Sequence, residues 1–512
     1  MAPVAGVDPR TATPLPPVAE PTTAKGVNRI ARDAADASRP LEMLGREPRA
    51  VLLEAMAAAI EKHREDLVAI ASSETGFGTV KLDAELTRAA FQLRFFSGVL
   101  REGGYLEAAI DHARDTPMGP RPDLRRILVP IGPVAVFGAS NFPFAFSVLG
   151  GDTASALAAG CPVVVKAHES HPATSKLSFE ILAEASWRVS APEHTVGIIY
   201  GVSAGADLVA HPDIRAVAFT GSMAGGKALL DIVNRRAEPI PFYGELSSVN
   251  PVVITPAAAA ERAEDIAAGL IGSFTLGAGQ LCTKPGLVLV PDNADGDRVV
   301  AAVRNALRDI TSQTLLNERV YQTYRRETES LRAHRGITYV TGSPSAATEG
   351  FSVDALVLET DVEYLAGGII GEIFGPVTVL VRYPSADPVH ATAVALDAVP
   401  RSLTATIHHS AQPGVDIDLM ARLTDVVTPS AGRVIYNGFP TGVAVAWAQT
   451  HGGPWPSTNS LHTSVGATAV RRFLRPLTFQ DAPAAVLPPE LRDGYSGFPR
   501  RIDGVAQVPE VR

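Results

Sequence analysis

Cys282 sits in TLGAGQLCTKPG (275–286) and is one of only two cysteines in 512 residues. Its neighbours are glycines, a glutamine and a threonine, so a ligand and backbone N–H groups can both approach it. A thiolate stabilised by such donors is a nucleophile, whereas an inert cysteine packs as a small hydrophobe. Cys161, in AAGCPVVV at the mouth of an apolar run, fits that second description. A thiol nucleophile needs a proton acceptor, and Glu245 in FYGELSSVNP can take a proton from a thiol or from a water. Addition of a thiolate to a carbonyl creates an oxyanion. The Asn141 amide in SNFPFAF and the Cys282 backbone N–H are candidate donors for it, although Asn141 could equally cap a helix.

A second group of residues suits a dinucleotide. GSMAGG (221–226) is a glycine-rich turn opening a helix, and free N–H groups with the helix dipole attract phosphate there. Gly221 and Ser222 stand at its start. Lys166 and Glu169, in KAHE, put a cation and an anion after a neighbouring strand, where ribose hydroxyls would lie. HESH (168–171) follows a strand and lacks the HExxH spacing, so no metal site is expected.

These residues must be held by an α/β framework. Residues 26–113 carry apolar positions at three- and four-residue spacing and read as helices, with Gly76 as a stop. Apolar strands are then expected at 134–140, 161–167, 195–201, 214–221 and 239–246. Helices are expected between them, including one over 144–160. Such alternation implies a parallel sheet covered on both faces, with ligands beyond the carboxyl ends of its strands. Asn141, Lys166, Glu169, Gly221, Ser222 and Glu245 all follow strands. A second alternation from 251 to about 440 contains Cys282 and predicts a second α/β domain facing the first.

Composition agrees with a globular chain of two or three domains: 46% hydrophobic and 19% charged. The net charge of −9 is spread along the sequence and offers no basic surface for nucleic acid. No apolar stretch approaches a membrane span, and the N-terminus lacks the pattern of a secretory signal. Two cysteines without CxxC spacing indicate reduced thiols in the cytoplasm. Residues 1–25, rich in Pro and Ala, read as a loosely ordered arm.

FGASNFP (137–143), VVVKAHE (163–169), FTGS (219–222), GELSSVNP (244–251), GQLC (279–282) and EIFGP (372–376), in this order, resemble the NAD(P)-dependent aldehyde dehydrogenase superfamily over roughly 26–485. The resemblance implies Cys282 as nucleophile, Glu245 as general base and Asn141 as oxyanion-hole amide. Lys166 and Glu169 would hold the adenosine ribose, Gly221 and Ser222 the pyrophosphate, and Glu372 and Phe374 the nicotinamide ribose and ring. It further implies a Rossmann-like cofactor domain (26–246), a catalytic domain (247–440), and a small oligomerisation β-flap. The flap would combine 122–136 with part of the return segment 441–512, in a homodimer or homotetramer. Two departures stand out. ELSSVNP replaces an ELGGKSP-type signature, and QTHGGPWPSTNSLHTSVGA (449–467) replaces a late Gly-rich segment. Both resemble a subgroup of 2,5-dioxovalerate (α-ketoglutarate semialdehyde) dehydrogenases and an NADP-using fatty aldehyde dehydrogenase. The implied substrate is 2,5-dioxopentanoate. NAD is expected over NADP, because a carboxylate at Glu169 accepts from a 2′-hydroxyl and repels a 2′-phosphate. A thiol esterase would leave the cofactor-type motifs without purpose, and a non-catalytic scaffold would leave Cys282 with Glu245 unexplained.

Overall fold

Five short apolar strands, Val134–Phe137, Val163–Lys166, Val196–Ile199, Ala216–Thr220 and Phe242–Glu245, form one all-parallel sheet in the computed structural model. The structure describes residues 3–343, 349–365, 368 and 370–509; the outermost residues of the N-terminal arm (1–2) and of the return segment (510–512) lie outside the described residues. Right-handed crossovers need a helix between parallel strands. Gly151–Ala159, Pro172–Arg188, Val202–Ala210 and Met223–Arg235 supply the connecting helices. Register brings the carboxyl ends into line. Phe137 lies opposite both Lys166 and Phe219, Lys166 opposite Ile199, and Thr220 opposite Glu245. The residues that follow those strands therefore meet along one edge, as expected for a doubly wound sheet.

Four helices, Ala24–Met43, Arg46–Lys62, Arg64–Thr75 and Thr79–Glu102, precede this sheet. The last three and the sheet share a core that includes Leu53, Met56, Leu86, Phe96, Val134 and Val163. Cys161 is fully buried in that core, its Sγ donating to the Phe473 carbonyl at 3.3 Å.

A second sheet has seven strands. Six are parallel: Pro251–Ile254, Leu287–Pro291, Leu356–Asp361, Val377–Tyr383, Ser402–His408 and Ala431–Tyr436. Thr338–Gly342 is antiparallel at one edge. Helices Pro256–Thr275 and Ala294–Ala306 pack on one face of it. A third sheet pairs Leu124–Pro130 with Leu474–Gln480 and Ala109–Asp111, continued by Arg500–Ile502 and Val505–Gln507.

Three expectations need correcting. The arm expected to be loosely ordered over 1–25 is ordered in its described part: Val4–Asp8 pairs antiparallel with Thr13–Ala19. The β-propensity of its Val and Thr residues and the packing of Val7 against the second domain outweigh its proline content. The flap strand ends at Pro130, and Val134–Phe137 belongs to the parallel sheet instead. The helix expected over 144–160 begins only at Gly151. Glu85 Oε1 takes the N–H groups of Phe144 and Ala145, at 2.8 and 3.1 Å. The preceding turn also folds so tightly that a Cβ on Gly150 would lie 2.7 Å from the Ala145 carbonyl oxygen.

Candidate active site

The loop that carries Cys282 is shaped by Gly277, Ala278 and Gly279, with φ of 58°, 59° and 66°. These left-handed angles end the long helix Pro256–Thr275 and turn the chain back into the interior. At Gly279 a Cβ would lie 2.3 Å from the Gly375 carbonyl oxygen, so only glycine lets the EIFGP segment press against this loop. Asn250 fixes the other side. Its Nδ2 donates to the carbonyls of Cys282 and Lys284, at 2.8 and 3.0 Å. Lys284 Nζ donates to the carbonyls of Ile373 and Val377, at 3.0 and 2.8 Å. Burial lowers the Lys284 ammonium to about 8. The loop bearing Cys282 and the Glu372–Pro376 segment are thus one hydrogen-bonded unit.

Glu245 ends its strand 94% shielded from solvent, bridged through its backbone to Thr458 of the return segment. That segment also delivers His451, which lies between acid and thiol: its Nε2 is 3.2 Å from Glu245 Oε1 and 3.6 Å from Cys282 Sγ. Ser464 Oγ donates to Glu245 Oε2 at 3.4 Å. Burial pushes the Glu245 carboxyl up, but His451, the Cys282 thiol and Ser464 outweigh it and hold the acid below its ordinary range. Cys282 goes the other way. Burial first, then the Glu245 charge, pushes its thiol well above the usual value, with Arg88 opposing. At rest the site therefore pairs an ionised carboxylate with a protonated thiol. The sulfur becomes a nucleophile when an adjacent base takes its proton, and His451 and Glu245 are both in reach.

A cavity of about 360 Å³ opens from this point. Asn141, Glu245, Cys282, Glu372, Phe374, Gly221 and Ser222 all line it. Cofactor-type and nucleophile-type residues predicted from separate motifs thus share one wall. Asn141 does not cap a helix. One amide hydrogen goes to the Gln280 carbonyl at 2.7 Å, beside the nucleophile, and the amide carries a second N–H. Ser222 caps the helix Met223–Arg235 by accepting from Gly225 N at 3.3 Å, which leaves N–H groups of the first turn for an anion. Burial raises the Glu372 carboxyl to about 7. Lys166 and Glu169 pair with each other and are not among the lining residues; His168 between them is. His171 is structural, its ring set between the Ala139 carbonyl (3.1 Å) and Ser175 Oγ (3.2 Å).

Sequence reasoning noted the segment 449–467 as a departure but did not place His451 beside the thiol. Its one signal was the replaced Gly-rich segment, which puts an imidazole in the return segment. Asn250 and Arg319 were not singled out. Arg319 lines the cavity from the helix Glu318–Ala333, and its charge bears on Lys166 and His168.

The chain is 44% identical to alpha-ketoglutaric semialdehyde dehydrogenase 2 of Azospirillum brasilense, over 93% of this chain and 90% of that one. It is 39% identical to the alpha-ketoglutaric semialdehyde dehydrogenase of Acinetobacter baylyi, over 91% and 89%. Its fold matches aldehyde dehydrogenase C from Pseudomonas syringae, a structure complexed with NAD+ and octanal. The TM-score is 0.79 at 22% identity, covering 94% of this chain and 96% of that one. Residues 2–471 match the aldehyde dehydrogenase family, and with that match and these relatives the chain belongs to it.

Proposed function

We propose that this enzyme oxidises 2,5-dioxopentanoate to 2-oxoglutarate, with NAD preferred over NADP. The reaction type follows from the family, which uses NAD(P). The observation that supports the chemistry is the meeting of Cys282, His451 and Glu245 at the end of the cavity that also holds Glu372, Phe374 and Ser222. The substrate is supported by the two relatives named for it, each aligned over about nine-tenths of this chain.

The residues fit a dinucleotide. The first turn of Met223–Arg235, with Gly221 and Ser222 before it, suits the pyrophosphate. Glu372 and Phe374 suit the nicotinamide ribose and ring, and Lys166 with Glu169 the adenosine ribose. When bound, the cofactor supplies the hydride acceptor. The Cys282 proton passes to His451 or Glu245 and on to solvent, which leaves Glu245 ionised, and Sγ adds to the aldehyde carbon. The Asn141 amide and the Cys282 N–H donate to the oxyanion. After oxidation the acyl group is held as a thioester on Sγ. Glu245 then takes a proton from water, whose oxygen attacks the thioester carbon and releases the acid and the thiol.

We assign 26–246 to cofactor binding, 247–440 to catalysis and 441–512 to the return segment. The sheet containing Leu124–Pro130 and Leu474–Gln480 is assigned to assembly of a homodimer or homotetramer. Among the described residues no helix is long and apolar enough to cross a membrane. Two free cysteines, Cys161 and Cys282, suit the reducing cytoplasm.

The deciding experiment is relative kcat/KM for 2,5-dioxopentanoate, glutarate semialdehyde, hexanal and decanal, each with NAD and NADP. The reading requires 2,5-dioxopentanoate with NAD to lead. Decanal ahead of both acids would make the enzyme a fatty aldehyde dehydrogenase, and higher efficiency with NADP would reverse the cofactor preference.

A further inference from the structure

Two arginines stand near the thiol with guanidinium nitrogens that no group among the described residues uses. Arg88, on the helix Thr79–Glu102, gives Nη1 to the Val443 carbonyl, while its Nε and Nη2 are shut off from solvent and unpartnered. Arg433, on the strand Ala431–Tyr436, gives Nη1 and Nη2 to the carbonyls of Gly442 and Pro440, at 2.7 and 2.6 Å, and its Nε is unpartnered. A buried cation with unmet N–H groups is costly, so such groups are normally satisfied.

The pair of nitrogens left over on Arg88 is specific. Nε–H and Nη2–H point the same way along one edge of the planar group and match the two oxygens of a carboxylate. The same edge is used within this chain: Arg125 gives Nε and Nη2 to the two carboxylate oxygens of Asp123, at 2.7 and 3.1 Å. Glu85, the carboxylate whose charge reaches Arg88, is already taken. Its oxygens accept from Phe144 N, Ala145 N and Lys81 Nζ. The location is also specific. The Arg88 guanidinium lies 5.5 Å from the centre of the Phe146 ring, which lines the cavity beside Cys282. Phe146 in turn is 6.1 Å from His451. The charges of Arg88 and Arg433 are both felt at Cys282.

We propose that Arg88, through its Nε and Nη2 edge, binds the carboxylate at the far end of the substrate, with Arg433 Nε as a second donor, and so selects aldehyde acids over neutral aldehydes. This rests on reading the substrate as an aldehyde acid. Four carbon–carbon bonds of about 1.5 Å separate the two ends of 2,5-dioxopentanoate, and Phe146 links the two sites such a span must join, since it lines the cavity with Cys282 and lies 5.5 Å from the guanidinium.

The test compares wild type, Arg88→Met and Arg88→Lys on 2,5-dioxopentanoate, glutarate semialdehyde and pentanal, with glutarate as an unreactive competitor. Loss of a charge-assisted fork lowers the acid-to-neutral ratio of kcat/KM about 100-fold in Arg88→Met, chiefly through KM. Glutarate inhibition weakens with it. Arg88→Lys keeps the charge without the fork and falls between, and it decides the matter if the Met variant does not fold. Equal losses on all three aldehydes with unchanged glutarate inhibition would overturn the assignment and leave Arg88 as a strut for the 440–443 loop. If wild type prefers glutarate semialdehyde, rejects 2,5-dioxopentanoate, and loses its acid preference in Arg88→Met, the arginine assignment stands and the substrate reading fails. If wild type shows no acid preference, both fail.

Discussion

His451 Nε2 lies 3.2 Å from Glu245 Oε1, and the same nitrogen lies 3.6 Å from the Cys282 thiol sulfur. One ring nitrogen thus faces both the acid and the nucleophile. With its proton on Nε2 the ring donates to Glu245; with its proton on Nδ1 it can accept from the thiol.

Because burial and Glu245 hold the Cys282 thiol well above its usual range, the neutral thiol dominates near neutral pH. Deprotonation must be assisted, and its extent rises with pH. His451→Ala is expected to lower kcat/KM by roughly 100-fold, a typical loss for general base catalysis, and to shift the rising limb to higher pH. Rates of Cys282 alkylation by iodoacetamide across pH 6–10 report the same shift without cofactor. An unmoved limb would confine His451 to holding Glu245.

Glu245→Gln separates the two halves of the reaction. The amide cannot take a proton from water, so thioester hydrolysis slows more than its formation. A burst of reduced cofactor equal to the active sites should persist while steady turnover falls by about 100-fold or more. Loss of the burst together with turnover would mean that Glu245 also draws the proton from Cys282.

The two cysteines make an internal control. Cys282→Ser should abolish aldehyde oxidation while cofactor binding, followed by fluorescence quenching, survives. Cys161 is enclosed in the core, and burial raises its thiol to about 11. It stays neutral and unreactive, and Cys161→Ser should retain most activity. Labelling of the folded protein should fall on Cys282 alone.

Glu372 predicts a pH dependence of stability in the cofactor-free enzyme. Its carboxyl is raised from 4.5 to about 7 by burial, so between those values the native state holds a proton that the unfolded state has released. Stability then declines as pH rises through that window and levels off above it. Lys284, depressed from 10.5 to about 8, acts in the opposite sense in the alkaline range between those values. Glu372→Gln should flatten the fall of Tm between pH 5 and 7.5 and raise Tm at pH 8 relative to wild type. A parallel decline in both proteins would refute this assignment of the titrating group.

The framework was legible because its signals are local. Apolar runs such as VVVK and AVAFT alternate with helical stretches, and each strand end carries its own turn chemistry. Ser222 could be placed from a six-residue turn, and Cys282 from the glycines around it. What escaped depends on long-range pairing. His451 meets Glu245 across 206 positions and Cys282 across 169, and nothing in its own neighbourhood states that meeting. Val4–Asp8 and Thr13–Ala19 were hidden by composition, since prolines on an exposed two-stranded ribbon cost little. The late start of the helix at Gly151 depended on Glu85, an acid on another element.

The bridge between Glu245 and Thr458 also orders events in time. During synthesis the parallel sheet and the loop bearing Cys282 leave the ribosome well before residues 451–464. A chain truncated ahead of that segment carries the thiol without its imidazole partner or the backbone bridge to Glu245. The thiol can therefore meet its imidazole only after residues 451–464 have emerged, beginning 169 residues behind it.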